Sequence, residues 1–195
     1  MKSSGLQKRV LQALQCIINK DLEEAFFHLA PAIDASAKRH YPSVGQRERY
    51  TKWLDAHQVE MFTIATHGRL VVHGGFGNPD TKGIERVASA LYKARCAATH
   101  DPDELDELVT FIHEEKYGFL HGRFIITQGM LIAFTLLVLS DPKNKASFNI
   151  AEFKKTWLQY GDRRLTLIAY VGKREELLKV FERKNPAAGQ PTSAT

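Results

Sequence analysis

Apolar residues recur three and four positions apart through most of the chain, a spacing that predicts helices. The first runs from Gly5 to Asn19, with Leu6, Val10, Leu14, Ile17 and Ile18 on one face. Asp21 caps a second, with Glu24 at the capping-box position and a stripe of Leu22, Phe26, Leu29, Ile33 and Ala37. Pro31 falls inside it and should kink it, and the helix ends before Pro42 in the basic cluster Lys38-Arg39-His40. Residues 44–56 read as a third, more polar helix. The runs on either side of His67-Gly68 in MFTIATHGRLVVHGG read as a short hairpin, and GGFGNPD as the loop after it.

Thr81 to Thr99 reads as a helix with the stripe Ile84, Val87, Ala88, Leu91, Ala94 and Ala98. Asp101-Pro102-Asp103-Glu104 is a boundary: Asp101 caps the next helix, Pro102 takes its first position, and the residue before a proline avoids the α region. VTFIH and YGFLHGRFIIT predict a second hairpin, and Gln128 to Ser140 the most apolar helix. Asn149 caps a helix with Phe153, Trp157 and Tyr160 in line. LTLIAYVG fits a strand or a buried helix, and Lys173 to Lys184 forms the last helix. The expected fold is mainly α, a helical bundle with one or two short β-hairpins. It is one domain over residues 1–184, with 141–184 packed as an extension and a small, Pro-containing tail over 185–195 that reads as disordered.

A chain of 195 residues is long enough to bury a core. Its 27 Lys and Arg against 22 Asp and Glu give +5 and a pI near 9.2, which favours anionic partners, nucleic acid first. Cys16 and Cys96 fit no metal spacing and no disulfide framework, so they read as reduced thiols of a cytoplasmic protein. The amphipathic start lacks the apolar stretch of a signal peptide, and Phe124 to Ser140 is short for a membrane span, so no membrane partner is expected.

Within LYKARCAATHDPDEL, Arg95 lies eleven residues after Ile84, within about 20° of the apolar stripe if the helix is regular. A guanidinium there needs an anionic partner, because burying it unpaired is costly. One reading supplies an internal carboxylate, Glu24 or Asp34, and leaves His100 as a helix C-terminal cation. The other supplies a ligand phosphate.

The pair Arg95 and His100, in the pattern R-x4-H, with the preceding run IERVASALYK and the early helical pair containing LEEAFFHLAPAIDASAKRHYP, resembles the HEPN superfamily over residues 5 to about 140. The resemblance implies a small α-helical bundle acting as a homodimer. It implies first a metal-independent endoribonuclease without a cofactor, with Arg95 holding the scissile phosphate and His100 as general acid or base, and as the alternative a non-catalytic module that binds nucleic acid or a partner protein. It also extends the partners to a cognate antitoxin or a phage-defence protein. In that family the residue after the arginine is usually polar, often Asn or Asp, and Cys96 stands there in this chain.

The implied chemistry needs no metal. The 2′-OH of single-stranded RNA attacks the adjacent phosphorus. A histidine moves the protons, and an arginine fork holds the phosphate oxygens. One histidine cannot serve both sides of an in-line displacement, so a two-fold dimer would supply the second. Arg95 and His100 are about 140° apart on a regular helix, and they converge only if the helix distorts near His100. A third reading keeps Arg95 as a structural ion-pair member of a helical scaffold.

Lys38, Arg39, His40 and Tyr41 form a second candidate, able to bind phosphate and stack a base, or simply a solvated helix end. His67 and His73 flank RLVV without further ligands at metal spacing. The pairs Lys154-Lys155, Arg163-Arg164 and Lys173-Arg174 extend the basic surface or only solubilise it. GGFGNPD lacks the Lys and Ser/Thr of a P-loop, and Cys96 reads as a packed thiol.

Overall fold

A computed structural model describes residues 4–70, 72, 74–78, 83–153 and 156–182. Of these, 64% are helical and 16% lie in short strands, so the protein is mainly α. Ser4 caps α1 (Gly5–Ile18) and Asp21 caps α2 (Leu22–His40), accepting from the Glu24 amide at 3.2 Å. The whole expected stripe of α2 is buried, and the helix continues through Pro31. In α1 the stripe is buried except for Ile18, which is exposed.

The largest departure from the expected elements follows. α3 spans Gln46–Ala65, so the run MFTIA extends the polar helix rather than opening a hairpin. Met61, Phe62, Ile64 and Ala65 are all buried. A short apolar run has no periodicity that separates a buried helical turn from a strand, and packing of α3 against α6 (Gln128–Ser140) decides it. The first ribbon comes later, where a loop was expected: β1 (Gly75–Asn78) pairs antiparallel with β2 (Gly83–Arg86). Accordingly α4 begins only at Val87 and ends at His100, and Ile84 is exposed on β2. Residues 71, 73 and 79–82 lie outside the described residues.

Asp101 is extended and caps α5 (Pro102–Leu108), as the Asp-Pro boundary requires. VTFIH does not form a hairpin with YGFLHGRFIIT. β3 (Val109–Ile112) runs parallel to β5 (Arg123–Thr127), and β4 (Phe119–Leu120) pairs antiparallel with β5 on its other edge. α6 follows β5 directly and is buried nearly all round, against α1, α2 and α3. Its neighbours' apolar stripes converge there, which makes it the centre of the bundle.

The expected helix after Asn149 is only one turn, α7 (Ile150–Phe153), and Trp157 to Tyr160 are instead strand β6, antiparallel to β7 (Arg163–Thr166). Among the described residues there are therefore three antiparallel pairings where one or two hairpins were expected. A one-turn 3-10 helix, Leu167–Tyr170, leads to α8 (Arg174–Phe181), whose Leu177 and Phe181 are buried, with contacts to α3 and α6. The tail over 185–195 and Lys154-Lys155 lie outside the described residues.

Candidate functional site

Arg95 sits one turn beyond the buried Leu91 on α4, facing α2 and α3. Its side chain is 13% exposed, and a guanidinium Nη lies 4.0 Å from a carboxylate oxygen of Asp34 on α2. Asp34 is one of the two carboxylates the sequence offers, but it is more tightly held by Arg49 of α3, whose Nε and Nη2 donate at 3.1 and 3.2 Å. Gln46 adds a third bond at 3.1 Å. One carboxylate therefore serves two guanidiniums, both more than four-fifths buried. The remaining bond of Arg95 is a weak one, Nη1 to the Cys96 sulfur at 3.9 Å. Beside them the fully buried Tyr50 hydroxyl has no hydrogen-bond partner among the described residues, and burial pushes its pKa well above the phenol range despite the pull of Arg95.

Cys96 opens this cluster onto a cleft of about 490 Å³ between α3, α4 and α5, lined also by Arg47, Thr51, Ser89, Tyr92 and Lys93. The Arg47 guanidinium lies over the Tyr92 ring, 5.8 Å from its centroid, and has no carboxylate partner among the described residues. Lys93 is paired with Glu85 at 2.8 Å, and Glu104 adds one negative charge to the wall.

His100 does not join this cleft. α4 stays regular to its end, with the Asp101 amide donating to the Ala97 carbonyl at 2.8 Å, so His100 and Arg95 remain about 140° apart around it. His100 is exposed, with no hydrogen-bond or ion-pair partner among the described residues.

The other sequence candidates divide. Lys38 is exposed and Tyr41 packs against the core. Arg39 stays exposed and donates to Asn144 at 2.5 Å and Ser147 at 2.6 Å. His40 turns to Asp141, a fully buried carboxylate, at 2.7 Å. Arg174 joins this second cluster, 3.6 Å from Asp141 and 3.2 Å from Glu60. His67 stacks on Tyr160 with ring centroids 4.2 Å apart, and His73 lies outside the described residues. Arg163 and Arg164 lie over Phe181 and Trp157. Among the described residues no group of three or more His, Cys, Asp or Glu could hold a metal ion, and no helix is long and apolar enough to cross a membrane.

Sequence reasoning missed Arg47, Arg49 and Tyr92, because they come from a helix read only as polar and from a position one turn before Arg95. It also missed Asp141, whose place after a helix and before a proline signals a cap but not complete burial.

One protein-family model, that of Rv1289, matches residues 5–190. No curated protein and no solved structure matches the chain.

Proposed function

The chain belongs to the Rv1289 family, and from the residues of the α3–α4 cleft we propose that it binds single-stranded RNA there, as a non-catalytic module of HEPN-like kind. The observation that carries this reading is the shortage of carboxylates around the guanidiniums: among the described residues Arg49 and Arg95 share Asp34, and Arg47 has none. Arg95 stands behind Cys96 rather than in the cleft wall, and a phosphate oxygen that reached it there would supply what it lacks, since among the described residues its donors meet only a sulfur at 3.9 Å and a carboxylate at 4.0 Å. Tyr92 offers a ring face for a base, and Ser89 and Thr51 offer hydroxyls.

The test is fluorescence anisotropy with a single-stranded RNA oligomer over a salt series. Binding should weaken steeply as salt rises, and Arg47→Ala should lower the log–log slope by about 0.7, the loss of one phosphate contact. Tyr92→Ala should weaken binding about 5-fold or more. Binding that ignores salt, or that survives both changes intact, would defeat the reading.

A second reading, cleavage across a dimer, has one observation in its favour: the exposed and unpartnered His100, free to meet a second copy. A two-fold arrangement across α4 would set one subunit's His100 against the other's Arg95 once that guanidinium leaves Asp34, toward which it now faces. The protein should then cut single-stranded RNA with EDTA present, leave 2′,3′-cyclic phosphate ends and spare DNA. His100→Ala should lower the rate about 10²-fold. A monomer by light scattering, or a well-folded His100→Ala protein that cuts at full rate, removes this reading. The resemblance alone carries the further proposal of an antitoxin or phage-defence partner.

A further inference from the structure

We propose that His40 is the proton-transfer group of a second site, a cavity of about 550 Å³ between the end of α2, the corner after α6 and the start of α8, where it activates water against a small uncharged ester. This goes beyond the RNA-binding reading and does not depend on it.

The ring is oriented from behind. Asp141 is wholly buried, and one of its oxygens takes the Lys143 amide at 2.9 Å. The other accepts from His40 Nε2 at 2.7 Å. A carboxylate only accepts, so Nε2 carries a proton, and in the neutral ring Nδ1 keeps its lone pair. Second-sphere carboxylates fix histidine tautomers in the same way in hydrolytic triads. Asp141 does not need His40 for charge balance, because Arg174 already stands 3.6 Å away. Nor does the ring vanish into the core: it is 25% exposed and lines the cavity.

The neighbours leave the base unopposed. His57, with its ring centroid 6.1 Å away, donates Nδ1–H to the Trp53 carbonyl at 2.7 Å. Burial and the Arg174 charge push its pKa down to about 4, so it stays neutral near pH 7. Glu60, on the cavity wall and bonded to Arg174, has its pKa raised by burial more than the guanidinium lowers it.

The lining also selects the chemistry. Among the described residues it contains no Ser, Thr or Cys, so no hydroxyl or thiol competes with water for the His40 base. Four carboxylates, those of Glu60, Asp141, Glu175 and Glu176, face only two cations, Lys173 and Arg174. That balance disfavours phosphates, and with them the RNA of the other cleft. In the step, water attacks the ester carbonyl carbon while its proton passes to Nδ1. The tetrahedral adduct then expels the alkoxide, which takes that proton from the imidazolium. The products are a carboxylic acid and an alcohol, and the histidine is returned neutral.

The full chain is assayed with p-nitrophenyl acetate between pH 6 and 8, beside His40→Gln, Asp141→Asn and, as a control, His28→Gln. The wild type and the control should hydrolyse it faster than free imidazole at equal concentration. His40→Gln should lose about 10²-fold, the scale of a lost general base. Asp141→Asn should lose less, with its pH profile displaced, as expected of a positioning residue. Because that substitution also unbalances Arg174, the ring is read independently in the unmodified protein: 15N NMR of the neutral His40 ring should show Nε2 protonated and Nδ1 bare. A rate no better than imidazole, a fully active His40→Gln, or a proton on Nδ1 each overturns the proposal.

Discussion

Asp34→Ala should lower the unfolding free energy by about 3 kcal/mol or more, measured by urea denaturation. The change leaves Arg49 and Arg95, both more than four-fifths buried, without their shared carboxylate. Breaking one partner of a buried ion pair is costly because the other charge stays buried and uncompensated. Double-mutant cycles divide the effect. Arg49 makes two bonds to the carboxylate at 3.1 and 3.2 Å, so the Asp34–Arg49 coupling should exceed about 1 kcal/mol. Arg95, at 4.0 Å, should couple by about 0.5 kcal/mol. A large Asp34–Arg95 coupling would mean that Arg95 is a structural member of the bundle, and the phosphate-binding reading would lose its centre. A small one leaves its donors for a ligand. Arg95→Lys sharpens this, since it keeps the charge and loses the planar fork.

Stability should also fall as the pH drops from about 6.5 towards 4, and His57 should account for a large share. Its folded pKa, about 4, lies below the ordinary histidine value because of burial first and Arg174 second. In that window the unfolded chain binds the proton and the folded one does not, so acid favours unfolding. A shift of this size corresponds to about 3 kcal/mol, fully lost once the pH is below both values. Arg174 opposes protonation of His57, whereas Asp141 favours it and His40 adds a smaller opposing effect. Glu60 acts in the other direction: its pKa is raised in the fold, so its protonation at low pH favours the folded state. The comparison that isolates His57 is therefore His57→Gln, whose stability should change less steeply between pH 6.5 and 4. An equally steep variant would show that the acid sensitivity arises elsewhere.

The sequence alone determined the helical part of this protein where the pattern is local. Stripes at 3.6-residue spacing, Asp21 and Asp101 as caps, and the Asp-Pro boundary fix α1, α2, α5 and α6, because capping and periodic burial depend on residues within a turn or two of one another. Sequence also singled out Arg95 as a guanidinium in need of an anion, and Asp34 as a carboxylate able to meet it. Only the tertiary structure decided the rest. MFTIA is helix rather than strand because α6 covers it, and VTFIH pairs in parallel with a strand eleven residues later because the register depends on packing over α2 and α5. The same holds for the sites. That Asp34 is shared with Arg49, that Arg47 meets a ring and no carboxylate among the described residues, and that His40 leaves the basic cluster for a carboxylate 101 residues away are facts of long-range assembly. Side-chain charge is written in the sequence, but the partner that neutralises it, or fails to, is set by which helix faces are brought together.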